Sequence, residues 1–195
     1  MKILLHICCA PCTIYPLRIL REEGNEVCGL FYNPNIHPYL EYRRRLDTLT
    51  SYAGSEGLTV IRDESYPLDA FLRQVAFREE ERCPHCYQLR LSYAAQIAKN
   101  NRFDAFTTTL LYSRYQKHEL IREIAAGVAE THGIPFFYRD FREGWSEGVR
   151  VSKASGMYRQ PYCGCIYSER ERYGGNLGKG DGGKPLCPRE RNLDR

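Results

Sequence analysis

The chain has 195 residues, of which 43% are hydrophobic, and 28 basic and 24 acidic side chains give a formal net charge of +4. This length suits one domain with a substantial core. No stretch approaches the roughly 20 apolar residues of a bilayer-spanning helix, and the apolar run after Lys2 is too short for a secretory signal, so we expect a cytoplasmic protein without a membrane partner.

Strand-like and helix-like segments alternate along most of the chain. Short apolar runs predict strands at 2–7, 27–32, 58–61, 105–109 and 134–138. Longer segments bounded by glycine and proline predict helices at 13–23, 38–56, 68–76, 83–100 and 117–132. This alternation predicts an α/β domain whose sheet is doubly wound and mainly parallel.

The end of the chain has a different composition. Residues 174–183 read GGNLGKGDGG, and the residues after them are mostly charged. Such a segment buries too little apolar surface to offset its ordering entropy. We therefore expect one catalytic domain over 1–173 and a flexible tail over 174–195.

The chain contains nine cysteines. This fraction is below the roughly 8–10% of disulfide-rich scaffolds, and disulfides rarely persist in the cytosol. Metal binding or redox catalysis is therefore the better interpretation. Cys28, in the middle of a strand, and Cys187, in the tail, are expected to be bystanders.

The first group of cysteines, Cys8, Cys9 and Cys12, lies in CCAPC between the first strand and the first helix. In open α/β sheets, ligands bind beyond the carboxyl ends of the strands. Phosphate binding is unsupported here, because the turn contains neither G-x-x-x-x-G-K nor G-x-G-x-x-G. Thiols occupy the position that glycines hold in nucleotide-binding loops.

Two further cysteine groups follow. Cys83 and Cys86 form C-P-H-C at a helix start, where both sulfurs share one face and the helix N-terminus favours thiolate. Cys163 and Cys165 form C-G-C, which can chelate a metal or close into a strained, easily reduced disulfide.

Two metal sites fit this pattern. Zinc could use the pairs Cys9/Cys12 and Cys83/Cys86, although this leaves Cys8, Cys163 and Cys165 unexplained. An iron–sulfur cluster on four cysteinates, with a second redox or metal site beside it, accounts for all seven thiols.

Four stretches resemble one known family, the cobalamin-independent epoxyqueuosine reductases of the QueH type. They are LLHICCAPC, RCPHCYQLRL, TTTLLYSRYQKHE and GMYRQPYCGCIYSE, and together they extend over residues 4–169. The resemblance implies a fold similar to the adenine-nucleotide α-hydrolase-like (HUP) group, with the nucleotide loop replaced by cysteines. It also implies a 4Fe-4S cluster and the last step of queuosine formation, in which the epoxide of epoxyqueuosine at the tRNA wobble position is reduced to the alkene.

The resemblance also implies roles for individual cysteines. Cys8, Cys9, Cys83 and Cys86 are the expected cluster ligands. Cys163 and Cys165 are expected to form the second redox element, as a reducible disulfide or as ligands of a second, mononuclear iron. Cys12 is a further candidate for that catalytic or iron-binding role. Such an element is useful because the reaction consumes two electrons, whereas a 4Fe-4S cluster passes one at a time.

The expected partners are tRNA carrying epoxyqueuosine and an unidentified electron donor. Lysine and arginine would supply most of the RNA affinity, and a flipped base could stack on an aromatic ring. The substrate-binding candidates are Arg159, Tyr158, Tyr162 and Arg114. The basic run 43–45 is a weaker candidate, because a solvated helix surface explains it equally well.

Two other functions remain open from the sequence. A cluster-dependent tRNA thiolation enzyme would use a related fold, but it needs an ATP-binding loop of the S-G-G-x-D-S type where this chain has CCAPC. A non-enzymatic, zinc-stabilised RNA-binding protein would contain zinc and no labile sulfide.

Overall fold

The computed structural model describes residues 1–174 and contains one sheet of four short strands. The strands are β1 Lys2–His6, β2 Glu26–Phe31, β3 Val60–Arg62 and β4 Ala105–Thr108. Their order is β3-β2-β1-β4, and every neighbouring pair is parallel. The predicted single-domain α/β fold with a parallel sheet is confirmed. The likeness to the HUP group stays a prediction, and the proposed tail, apart from Gly174, lies outside the described residues.

Seven α-helices surround the sheet in the described part of the chain. They are α1 Ala10–Glu22, α2 Tyr39–Ser55, α3 Leu68–Val75, α4 Arg82–Asn100, α5 His118–His132, α6 Trp145–Ala154 and α7 Ile166–Tyr173. The first five were predicted, whereas α6 and α7 were not. None of the helices within residues 1–174 is long and apolar enough to cross a membrane.

The predicted fifth strand at 134–138 is wrong. This segment makes only an isolated parallel bridge, in which Phe136 pairs with Phe106. Pro135 accepts a hydrogen bond from the Phe106 amide, and Phe137 donates one to the Phe106 carbonyl. Pro135 has no amide hydrogen, so the ladder cannot extend from this bridge toward Ile134.

The strand order places β4 beside β1 as the last of the four strands, so the carboxyl ends of β1 and β4 lie next to each other. The chain runs outward from β1 through β2 to β3, then crosses back so that β4 pairs with the other side of β1. On the way, α1 packs on β2 and α2, whereas α4 packs on β1, β4 and α5. The order reverses between β1 and β4, which is where ligands bind in doubly wound sheets.

Helix α6 lies unusually close to the aromatic side chains behind the site. A Cβ atom on Gly144 would lie 2.0 Å from Tyr15 Cγ, and one on Gly148 would lie 2.1 Å from the Tyr112 hydroxyl oxygen. Tyr15 comes from α1, and Tyr112 ends the 3-10 helix after β4. The two glycines therefore allow α6 to pack directly on both rings.

We predict that Gly144→Ala lowers the free energy of unfolding by about 1–3 kcal/mol, because the added methyl group forces the buried Tyr15 ring out of place. Urea denaturation followed by circular dichroism measures the change.

Gly127→Ala is the matched control. Gly127 lies within α5, and a Cβ there meets nothing within 4 Å. Alanine should therefore stabilise this helix by roughly 0.5–1 kcal/mol. Equal stability of the two alanine variants would contradict the close packing at Gly144.

Candidate metal and redox site

Three thiols converge where β1 passes into α1. β1 ends at His6, Cys9 is the N-cap of α1, and Pro11 lies in its first turn. The sulfur atoms of Cys8, Cys9 and Cys12 all lie within 4.8 Å of one another, and all three residues are buried. Soft thiolate ligands favour zinc, copper(I) and iron–sulfur centres. This three-thiol group can therefore hold a metal.

Cys8 is the thiol of this group that most readily ionises. The hydrogen bonds from Cys12 and Cys9 hold its pKa well below the usual thiol value, with further help from Arg90 and Thr109. The Thr109 hydroxyl donates to Cys8 Sγ at 3.3 Å and accepts from the Cys8 amide at 3.1 Å. Burial raises the pKa of Cys9, and the hydrogen bond to Cys8 raises that of Cys12. The thiolate, which is the ligand and nucleophile form, is therefore centred on Cys8.

A second thiol group lies between α4 and α7. Cys83 and Cys86 occupy the first turn of α4, and Cys165 is the N-cap of α7, where its sulfur accepts from the Ser168 amide at 3.4 Å. Cys86 and Cys165 pack together in one buried cluster with side chains of α3. Burial raises the pKa of Cys86 to about 12. All eight cysteines within residues 1–174 are free thiols.

One cavity extends from the three-thiol group to Cys163 of the C-G-C segment. Its volume is about 480 Å³, and Cys8, Cys12 and Cys163 all line it. Within residues 1–174, three arginines line it as well, and no aspartate or glutamate does. The cavity is therefore positively charged and suited to an anionic ligand. A separate cavity of about 520 Å³ lies between α2 and the end of α6. No cysteine among the described residues lines it, so it is not a candidate for thiol or metal chemistry.

Two glutamine amides donate hydrogen bonds to sulfur. Gln160 Nε2 lies 2.8 Å from Cys9 Sγ and 3.6 Å from Cys12 Sγ. Gln116 Nε2 lies 3.1 Å from Cys163 Sγ, and its Oε1 accepts from the Tyr87 hydroxyl at 2.7 Å. The three-thiol group and Cys163 thus each receive an amide donor. Sequence reasoning missed them, although each glutamine lies within a stretch that carries the family resemblance.

A buried ion pair fixes the C-G-C segment. Arg45 is 1% exposed, and its Nε lies 2.7 Å from Glu41 Oε1. Its other two nitrogens donate to the carbonyls of Cys163 at 2.8 Å and Tyr162 at 3.1 Å. Gly164 has a φ of +146°, and a Cβ there would lie 3.1 Å from Ile36, so glycine is required. Arg45 is therefore a structural residue. Of the basic run 43–45, it is excluded as a candidate for RNA contact.

The four predicted substrate residues lie in different places. Arg159 and Tyr162 line the cavity that joins the thiols. Tyr158 instead lines the cavity beside α2, and its hydroxyl donates to Glu41. Arg114 is exposed beside the thiol cavity, where its neighbours Ser113 and Tyr115 are among the lining residues. Arg159 and Tyr162 are thus in direct reach of a ligand in the cavity.

The mouth of the cavity has an aromatic wall that the sequence analysis did not identify. Tyr115 is 84% exposed, and its ring meets that of Trp145 edge to face at 5.5 Å. Both residues line the thiol cavity. The sequence offered one signal for this wall, because Trp145 is the single tryptophan of the chain. It was overlooked because α6, which it begins, was not predicted.

Comparison with known proteins gives one family. The family model described as "Epoxyqueuosine reductase QueH" matches residues 3–171, which include both thiol groups. Relatives with that name occur in Dehalococcoides mccartyi, at 36% identity over 89% of this chain and 95% of the relative, and in Thermotoga maritima, at 34% over 87% and 91%. A third, in Histophilus somni, is 33% identical over 87% of this chain and 73% of its own. The chain belongs to the epoxyqueuosine reductase QueH family.

Proposed function

We propose that this protein reduces the epoxide of epoxyqueuosine in tRNA to the alkene of queuosine. The observation that carries the proposal is the cavity lined by Cys8, Cys12 and Cys163 at the switch point of the sheet. The names of the relatives supply the substrate, and the thiol chemistry of the cavity suits a reductase.

The reaction needs two electrons and two protons. The epoxide oxygen leaves as water, and a carbon–carbon double bond replaces the two carbon–oxygen bonds. A dithiol that closes to a disulfide releases two electrons and two protons, which balances this reaction. Cys163 and Cys165 are the proposed dithiol, and an external electron donor restores it after each turnover.

The position of Cys163 supports this role. Cys163 is exposed, lines the cavity and accepts the Gln116 amide hydrogen bond, whereas Cys165 is buried behind it. Arg45 holds the backbone carbonyl of Cys163, so the thiol stays at the cavity while its side chain reacts. A second, mononuclear iron on Cys163, Cys165 and Cys12 is the alternative, and it predicts iron in excess of sulfide.

A 4Fe-4S cluster is the proposed cofactor, with Cys8, Cys9, Cys83 and Cys86 as its ligands. When bound, such a cluster supplies electrons one at a time. The donor chemistry fits it, because every candidate ligand is a sulfur. The thiols that the structure brings within 4.8 Å of one another are Cys8 and Cys9 of this set together with Cys12, and that group does not include Cys83 or Cys86. Cys12 lies close to Cys8 and Cys9, so these three thiols form a competing ligand set. The variants Cys83→Ala and Cys12→Ala distinguish between the two sets.

The tRNA is proposed to dock its anticodon loop over the cavity mouth. Arg159 and Arg172 provide positive charge there, and Trp145 and Tyr115 provide rings on which an extruded base can stack. The tRNA thiolation enzyme and the zinc-stabilised RNA-binding protein are not favoured, because the relatives are named as reductases.

We predict that Cys83→Ala removes the cluster. The protein purified without air should contain about four irons and four acid-labile sulfides per chain, with a broad absorbance near 400 nm, and Cys83→Ala should lose most of all three. Cys12→Ala should retain them. Loss in Cys12→Ala with retention in Cys83→Ala would instead place the metal on the three-thiol group. Cys28→Ala, in β2, is the control cysteine.

Cys163→Ala should keep the iron, the sulfide and the absorbance but stop epoxide reduction, because it leaves the cluster ligands intact and removes half of the dithiol. Conversion of epoxyqueuosine in tRNA is measured by mass spectrometry of the digested nucleosides. An active Cys163→Ala enzyme contradicts the dithiol, and loss of cluster in this variant puts Cys163 among the ligands.

Arg159→Gln should weaken binding of an anticodon stem–loop roughly tenfold, since one charged phosphate contact is lost, and should reduce the salt dependence of binding. Fluorescence anisotropy at several salt concentrations measures both. Arg122→Gln is the control, because Arg122 lies on α5, is exposed and pairs with Glu119. An unchanged affinity for Arg159→Gln would move the RNA surface away from this cavity.

A further inference from the structure

Arg90 is a buried cation whose three guanidinium nitrogens contact uncharged groups. It lies on α4, is 2% exposed and is one helical turn from Cys86. Its Nη2 donates to Asn33 Oδ1 at 2.7 Å, its Nε lies 3.3 Å from His6 Nε2, and its Nη1 lies 3.7 Å from Cys86 Sγ.

Among the described residues, no carboxylate forms an ion pair with Arg90. The other fully buried arginine, Arg45, has Glu41 as its partner. A buried charge without a counter-ion is strongly destabilising, so buried cations are normally paired. Arg90 therefore needs a negative charge from something other than a carboxylate.

The thiols are the groups in a position to provide this charge. Arg90 lines the cavity together with Cys8, Cys12 and Cys163, and it contacts Cys86. It thus lies between the three-thiol group and the second group. A divalent metal bound by three or more thiolates forms a complex with a net negative charge, which a fixed cation stabilises.

We propose that Arg90 is a positioning residue that supplies the permanent positive charge for thiolate-bound metal and so raises the reduction potential of the centre held there. The reduced form of a thiolate centre carries one more negative charge than the oxidised form, so a nearby cation favours reduction. The positive charge of Arg90 is what raises the metal affinity and the potential, and a neutral side chain of similar length does not substitute for it. The predicted effect of Arg90 on the reduction potential rests on the proposed cofactor, whereas its predicted effect on metal affinity does not.

Four variants separate charge from packing. Arg90→Met removes the charge with similar side-chain length, and Arg90→Lys keeps it. Asn33→Asp keeps Arg90 but gives it a carboxylate at the position of the 2.7 Å contact, which neutralises its charge. This variant also loses the bond from Asn33 Nδ2 to the Ile7 carbonyl, so its folding is checked by circular dichroism. Arg122→Met, on exposed α5, is the control.

The first measurement is Co²⁺ titration of the reduced, metal-free protein, followed by sulfur-to-cobalt charge-transfer absorbance. We expect Arg90→Met and Asn33→Asp to bind Co²⁺ at least tenfold more weakly than the wild type, while Arg90→Lys and Arg122→Met stay within about threefold. Unchanged affinity in both Arg90→Met and Asn33→Asp overturns the proposal. So does an Arg90→Lys protein as weak as Arg90→Met, because it assigns the effect to geometry. Where Arg90→Met does not fold, Asn33→Asp decides.

The second measurement is the midpoint potential of the reconstituted centre by anaerobic redox titration. A tenfold shift of the reduction equilibrium toward the oxidised form, about 59 mV for one electron, is expected in Arg90→Met and Asn33→Asp but not in Arg90→Lys. A cluster whose potential ignores these changes overturns the inference and leaves the proposed function standing. If the wild type holds no cluster but its Co²⁺ affinity depends on Arg90, the proposed cofactor is wrong and the inference about Arg90 stands.

Discussion

The parallel pairing of β1 with β4 is the constraint on which the site depends. It aligns His6 with Thr108, whose hydroxyl lies 2.9 Å from His6 Nδ1, and it brings Thr109 to the backbone and sulfur of Cys8. Because the strand order reverses between these two strands, their carboxyl ends border the crevice in which doubly wound sheets bind ligands. A nucleotide-binding protein would fill this space with a phosphate-binding loop, and here the thiols fill it.

Charge is distributed unevenly around that space. The pair of Arg45 and Glu41 is buried, satisfied on every nitrogen, and holds backbone rather than sulfur. Removing one partner of such a pair typically costs 3–5 kcal/mol, so the C-G-C segment is anchored firmly to α2. Arg90 has no such partner and faces the thiols. The two arginines differ in function because one charge is neutralised locally and the other is left for the site.

Local signals in the sequence were sufficient for the four strands and for the first cysteine group, although they also predicted a strand at 134–138 that did not form. Apolar runs marked β1, β2 and β4, and the spacing of CCAPC already placed its thiols at one turn. The clustering of Cys86 with Cys165 could not be predicted from the sequence, because it depends on how α3, α4 and α7 pack. Arg45 and Arg90 were also missed as buried residues, since arginine is usually exposed and its burial here is decided by distant segments. The i, i+4 spacings of Glu41 with Arg45 and Cys86 with Arg90 were the only local indications. The assignment of cysteines to a cluster remains a prediction.

The segment that carries Cys163 also carries Gln160, whose amide contacts Cys9 and Cys12 in the other thiol group. Gln160, Pro161, Tyr162 and Cys163 all line the same cavity. One short stretch of backbone therefore places a hydrogen-bond donor on Cys9 and presents Cys163 to the cavity. A change in the position of this stretch would alter the surroundings of both sulfurs together, so the two cannot be adjusted independently.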